Sequence, residues 1–554
     1  MSSVGGSEKR VAAVLLGLAL VYFLAFALPN STGADDTSMI SIFEPDEFAQ
    51  YTVLKKMLSF DPGDLKGNVY NFVAYGHYYY GYPFYLGSAT LLLPLRLWEG
   101  LTNKNSQMPM LLLRQFISVL PMLGAVLVMT YAQTRFRSLL WSLLTMTLLL
   151  AIPAVVENNM WWHTESLVTL FVILTIFFLA EDDLKFGRNF LLAAIACGLA
   201  TATKVLGLFF VLAIPVYLVL GVIRGGHPWK QAAVKALHFV GLMAMTIVVA
   251  NPFLLIPAQA GEMVRILSGQ SNAMSVGWVL RYAKGPESWL PILTGSYGIP
   301  LFLAVALLVL LAVAFRKGPR QVLHVTILCW IAPLALYILY AIAIKPTHFF
   351  LPIILPLASC VPAALQDWMA DRRGRRRTSD QGGWWSRAAV FLVTAGALVL
   401  QMAWSADVDA RLYSAVASRE VTEPRVAYFA VLNERYLGAI PEERALLVYR
   451  DVRMYFPQTK NRRVRTFFNT TTYAAIERIQ PDLIVLWPQR IADYTQDGAA
   501  QRAITSETFG EIQRFFADAR AGQVAGYQLL FQDEAGLALV KDEIYTAYFA
   551  HPAK

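Results

Sequence analysis

Glu44-Pro45-Asp46-Glu47 places three carboxylates within four positions, just beyond the apolar run Val11–Leu28. Almost everything that follows it up to residue 405 is strongly apolar. The chain of 554 residues is 56% hydrophobic and only 15% charged. Soluble domains carry about 45–50% apolar and about 25% charged residues, so the balance points to a membrane protein. The acidic stretch then sits where water meets lipid, and its side of the membrane becomes the first question.

A spanning helix needs about 20 mainly apolar residues. Segments 11–28, 111–132, 139–155, 166–180, 189–203, 205–223, 236–256, 298–315, 321–343, 349–366 and 388–405 qualify as spans. Segment 83–98 is brief and carries Pro94 and Arg96, so it either spans or lies along the surface. Charge decides between these, because short cytoplasmic loops collect Lys and Arg. With Lys9 and Arg10 inside and 83–98 outside, the short loops alternate cleanly and the inner ones collect clusters of basic groups. They are Arg135/Arg137, Lys185/Arg188, Arg224/Lys230/Lys235, Arg316/Lys317/Arg320, and the run Arg372, Arg373, Arg375, Arg376, Arg377 with Arg387. The outer loop 156–165 has neither Lys nor Arg. A span at 83–98 would invert every later loop. The reading is therefore eleven spans plus an outer juxtamembrane helix. Ala25-Phe26-Ala27 has the small-x-small form of a cleavage site, and cleavage there would also leave the acidic stretch outside.

The same distribution accounts for the net charge of +9 without nucleic acid, since the arginine run reads as a topology determinant. Cys197, Cys329 and Cys360 lie inside apolar runs and read as small core residues. After Trp404 the pattern changes. Ala445–Tyr449, Leu483–Trp487, Tyr527–Phe531 and Leu537–Val540 read as buried strands. Arg419–Tyr436, Thr471–Ile479 and Glu507–Ala521 read as amphipathic helices. Residues 1–405 thus form a membrane domain, with a first outer loop at 29–110, and 406–554 form an outer α/β domain large enough for its own core.

The outer face gathers the chemistry. The first loop holds Asp46 and Glu47 and the aromatic run Tyr75–Pro83, with His77 and Tyr82. The second holds Glu157, Trp161, Trp162, His163 and Glu165. Lys204 interrupts two spans, and Lys345 and His348 precede another. Cations here suit the phosphate head of a lipid-linked substrate. Carboxylates suit removal of a proton from an acceptor hydroxyl, or a metal. Aromatic rings suit sugar faces, and equally an interfacial belt. Asp46-Glu47 and Glu165 could also simply cap the helices after them. Lys204 is harder to read as structural, since a lysine in an apolar run is costly.

In order, these motifs resemble the GT-C superfamily of membrane glycosyltransferases. The likeness is to the family 39-like polyprenyl-phosphate sugar transferases, the protein O-mannosyltransferases and the aminoarabinose transferases. The likeness rests on Glu44-Pro45-Asp46-Glu47, the aromatic segment Tyr75–Leu97, Arg114 near the start of the next span, and Pro153 with Glu165. It continues through Gly198-Leu199-Ala200-Thr201-Ala202-Thr203-Lys204, Asn251-Pro252-Phe253 and Lys345-Pro346-Thr347-His348-Phe349-Phe350-Leu351-Pro352. The resemblance implies an all-α polytopic fold of GT-C type with a soluble C-terminal α/β domain. It implies a polyprenyl-phosphate-sugar donor and a glycan, lipid or protein acceptor, with inversion and no nucleic acid. Asp46 would be the base, Glu47 its support and Glu165 a second acid. Lys204, Lys345, His348, His77, Tyr82, Arg114 and His163 would bind substrate. No cofactor is certain; a divalent metal stays open, although the Glu-Lys-Pro segment linked to metal in aminoarabinose transferases is replaced by Gly81-Tyr82-Pro83. The expected location is a bacterial or archaeal plasma membrane, with the site and the C-terminal domain extracytoplasmic. A transporter or lipid flippase is the alternative from another class.

Overall fold

The computed structural model describes residues 6–99, 105–375 and 384–550. Arg376 and Arg377 of the basic run lie outside them. Among the described residues, seven helices are long and apolar enough to cross a membrane. An eighth comes from the pair Pro286–Tyr297 and Pro300–Phe315, bent by 96°. The remaining expected spans are also helical. Leu139–Leu150 and Arg188–Thr203 have 12 and 16 residues, and Glu165–Asp182 carries Glu165, Glu181 and Asp182. At 1.5 Å per residue the two short helices reach only about 18 and 24 Å, less than the ~30 Å of hydrocarbon. Both are stopped by sequence. Ile152 is extended before Pro153, which opens a new helix at Pro153–Asn158. Lys204 is extended at φ −154°, ψ 133°, which ends the helix there, and its side chain pairs with the buried Glu165.

The helix that begins at Leu351 is the hub: 89% of its apolar window is buried, against 17% for Trp229–Ala250 at the rim. At the end of the bundle away from the acidic stretch, helix ends meet one another. Arg135 pairs with Glu181, and Arg320 reaches both the Gln133 carbonyl and Asp367. The helix Tyr82–Glu99 is not among the spanning candidates, and Leu97 and Trp98 near its end are exposed. Its start packs with Tyr75, Tyr78, Trp162 and Phe253 in a separate aromatic core beside the site.

Helix Trp384–Thr422 runs unbroken through the 405/406 boundary. The chain turns at Glu423, whose carboxylate caps Pro424–Arg435, so the expected single helix at 419–436 is two. Beyond it lie β1 (Leu446–Asp451), β2 (Arg462–Phe467), β3 (Leu483–Leu486), β4 (Tyr527–Gln532) and β5 (Leu537–Lys541). They form a sheet in the order β2-β1-β3-β5-β4, with β1 parallel to β2 and β3, and β5 antiparallel to β3 and β4. The strand missed in the sequence is β2, Arg-Arg-Val-Arg-Thr-Phe. It is an edge strand, where charge blunts unwanted pairing and erases the apolar signal.

Candidate functional site

The acidic stretch is a corner between two helices. Helix Thr37–Phe43 is N-capped by Asp36 and ends at Glu44, which is extended at φ −142°, ψ 95°. Pro45, with its fixed φ and no N–H, then opens Pro45–Met57. Glu44 is the N-cap, its carboxylate accepting the Asp46 N–H at 3.3 Å. The capping role thus falls to Glu44, which frees Asp46 to point into a cavity.

Glu47 faces the other way. It is fully buried, and Arg114 holds it through Nε and Nη2 at 2.9 and 2.6 Å. It also accepts the Trp162 N–H at 2.6 Å. Arg114 spends Nη1 on the carbonyls of Asn30 and Thr32, at 3.1 and 2.9 Å. Burial alone would raise the Glu47 pKa; Arg114 outweighs it and holds the group below the usual carboxylate range. This pair ties the first helix end, the acidic corner and the second outer loop into one unit. Asn30, which carries a glycosylation sequon, is wholly buried here and donates to the Asn159 carbonyl.

The cavity measures about 240 Å³ and is lined by Glu44, Asp46, Glu157, Asn158, Trp161, His163, Pro346, Thr347 and His348. Behind the two histidines stands Glu165. One of its oxygens takes the Lys204 ammonium and His348 Nε2 (3.3 Å). The other takes His163 Nδ1 at 3.4 Å. Lys204 Nζ also lies 4.7 Å from the centre of the Phe349 ring. For His163, burial opposes the charge, but hydrogen bonding and the negative charge of Glu165, with Glu44 and Asp46, push its pKa up to about 9. Imidazolium is then its form at neutral pH.

Asp46, His163 and His348 thus line the cavity, with Glu165 and Lys204 directly behind. Other expected contacts lie elsewhere. His77 Nδ1 meets the Tyr85 hydroxyl at 2.7 Å and burial lowers its pKa to about 4. Tyr82 donates its N–H to Asn251. Lys345 donates to the carbonyls of Ala283 and Ala343 at 2.6 and 2.8 Å. Two carboxylates gain standing that the sequence did not give them. Glu157 lines the cavity and accepts from Thr347 Oγ1 at 3.2 Å, and burial raises its pKa. Its signal was available, as an acid in an outer loop without a cation.

Glu44 is the second. Burial, with the charges of Asp46 and Glu47, pushes its pKa up to about 7 against the pull of His163 and Arg453. The folded state therefore favours the neutral acid. Its stabilising effect is complete below the unfolded value near 4.5 and is lost as pH rises through about 7. Glu44→Gln keeps the cap acceptor and removes the titration. The variant should be more stable than the wild type at pH 8 by about 1–3 kcal/mol, with little difference at pH 4.5. Thermal unfolding in detergent at the two pH values reads this directly, and an equal effect at both would refute it.

His163, Glu165 and His348 offer ligand atoms within 4.8 Å of one another, a donor set that could suit zinc. The Lys204 ammonium is already on the Glu165 oxygen that His348 approaches. A divalent ion would have to displace it or stand against its charge. The residues as arranged do not fit a metal, and no step below uses one.

No protein-family model and no curated protein sequence matches the chain. Solved structures do. ArnT from Cupriavidus metallidurans bound to undecaprenyl phosphate aligns over 98% of this chain and 99% of its own, with a TM-score of 0.54 and 12% identity. The fold is of GT-C type. ArnT in the apo state aligns over 95% and 98%, with a TM-score of 0.54 and 13% identity. The oligosaccharyltransferase of Archaeoglobus fulgidus aligns more loosely, with a TM-score of 0.48 and 12% identity over 95% of this chain and 74% of its own. At such identities the likeness is one of fold; the seven helices long and apolar enough to cross a membrane among the described residues make this chain a multi-pass membrane protein.

Proposed function

We propose that the protein is a membrane glycosyltransferase that moves a sugar from a polyprenyl-phosphate donor to a hydroxyl of an extracytoplasmic glycan, lipid or protein. One observation carries this: Asp46 opens into a cavity that His163 and His348 also line, with Glu165 and Lys204 paired to each other behind them. Lys204 and protonated His163 put two cations on the side of Glu165 and the histidine wall. A phosphate is suited to that side, and ArnT binds undecaprenyl phosphate on the same fold. Asp46 takes the acceptor hydroxyl proton while the acceptor oxygen bonds to the anomeric carbon and the bond to phosphate breaks. The departing polyprenyl phosphate is already an anion and needs no acid, so one base and cationic stabilisation suffice. A single displacement of this kind inverts the anomeric centre. The charge distribution of the loops supports an outer-face position for this cavity and the C-terminal domain, in what we take to be a bacterial or archaeal plasma membrane.

The test is incubation of the purified protein with a panel of polyprenyl-phosphate sugars, following release of the sugar. Turnover of one donor is expected, and inertness towards all of them would overturn the reading. In the same assay Lys204→Ala should raise the donor KM about 10–100-fold, as loss of one charged contact does. Its pH profile should keep its shape. A variant altered only in pH profile would count against phosphate binding by Lys204.

A further inference from the structure

The C-terminal domain reaches the acidic corner through one turn. Residues Arg450–Phe456, from the end of β1, grip helix Thr37–Phe43 along its whole length. Tyr455 donates its hydroxyl to Asp36, the N-cap, at 3.0 Å. The Phe456 N–H donates to Ser38 Oγ at 2.8 Å, and Arg450 Nη2 donates to Ser41 Oγ at 3.0 Å. Arg453 Nη1 then donates to the last two helix carbonyls, Ile42 at 3.2 Å and Phe43 at 3.0 Å. Those are carbonyls that a helix end leaves without intrahelical partners, and a cation there also meets the negative end of the dipole. The residue after Phe43 is Glu44, and Asp46 lies one turn of backbone further on.

The turn itself is rigid. Arg450 is wholly buried and bonds the carbonyls of Val452 and Met454, fixing the loop that presents Arg453. Asp451 accepts the Arg453 N–H at 2.9 Å and is in turn held by Arg490 at 2.9 Å. Arg425 bonds the Arg453 carbonyl at 2.9 Å.

We propose that Arg453 is a positioning residue: from the C-terminal domain it clamps the end of helix Thr37–Phe43 and so fixes the corner that aims Asp46 into the cavity. The clamp makes the C-terminal domain part of the working site, though it contributes no group to the cavity wall. Its effect on rate rests on the transferase reading; its effect on the corner does not. A displacement of the base by about 1 Å costs on the order of 100-fold in rate.

The test pairs two measurements on the full chain. Amide hydrogen exchange at Glu44, Asp46, Glu47 and Phe48 should speed about 10-fold or more in Arg453→Ala. With the donor found in the panel, kcat should fall about 10–100-fold while the donor KM changes less than about threefold. Arg453→Lys, which restores one donor to the same carbonyls, should recover part of both. Phe516→Leu serves as the control, since it loosens a buried core of the same domain away from the turn. Unchanged exchange at the corner overturns the clamp. So does faster exchange with an unchanged kcat, or an equal loss of kcat in Phe516→Leu at matched stability. A wild type inert towards every donor fails the transferase reading instead, and exchange at the corner still decides whether Arg453 holds it.

Discussion

Asp46→Asn is expected to lower kcat by about 10³-fold or more, leaving insertion, folding and donor KM near those of the wild type. General-base catalysis contributes about 10²–10⁴-fold in rate, and no other group removes the acceptor proton in the proposed reaction. The change is isosteric, and the Asp46 side chain is exposed to the cavity rather than packed. The structural cost is limited to one negative charge in the first helical turn, about 0.3–1 kcal/mol. The neighbouring acids make the test sharp. Glu44 and Glu157 line the same cavity, and each is raised by burial, which makes it more reluctant to carry charge before substrate arrives. Initial rates with the donor in hand should therefore rank Asp46→Asn far below Glu157→Gln. If Asp46→Asn keeps its rate while Glu157→Gln loses it, the base has been assigned to the wrong wall.

Much of this arrangement was legible in the sequence because it obeys one-dimensional rules. Loop charges alternate along the chain, so they suggest which segments end on the same side, and helix Tyr82–Glu99 is not among the spanning candidates. Lys204 was visible because a lysine between apolar runs needs a partner, and the structure supplies Glu165. What a sequence cannot display is which way neighbours face on a helix. Asp46 and Glu47 are adjacent, yet about 100° of helical rotation sends one to the cavity and the other to Arg114, 67 positions away. Arg114 and Lys345 were read as substrate contacts because they are cations near the outer ends of spans. The structure gives Arg114 a carboxylate and Lys345 two carbonyls. Capping was read onto Asp46-Glu47, whereas Glu44 is the cap, and only tertiary packing brings His163 and Arg453 to it. The clamp on helix Thr37–Phe43 is the least legible feature, since it joins residues some 410 positions apart through carbonyls that have no side-chain signature.

The buried pair Glu47–Arg114 carries the second large expectation, and it concerns folding rather than turnover. Both side chains have no exposed surface, and their ion pair is 2.6 Å long. Arg114→Met would leave the carboxylate in the interior with only the Trp162 N–H as a hydrogen-bond donor, the Arg419 guanidinium acting on it through charge alone. Breaking a buried pair from one side costs about 3–5 kcal/mol, because the remaining charge cannot be rehydrated. The Asn30 carbonyl would lose its Arg114 donor as well, and the Thr32 carbonyl one of its two. Arg114→Met should therefore show a severe loss of folded yield in detergent. Glu47→Gln alone strands the buried Arg114 charge, but should fall by less, since Arg114 keeps the Asn30 and Thr32 carbonyls and the amide keeps an acceptor for Trp162. The double variant Glu47→Gln/Arg114→Met should be more stable than Arg114→Met, because no unpaired charge remains. That inversion, a second substitution restoring what the first removed, separates a structural pair from a ligand site. Were Arg114 a donor contact, Arg114→Met would fold normally with a raised donor KM, and Glu47→Gln would not rescue it.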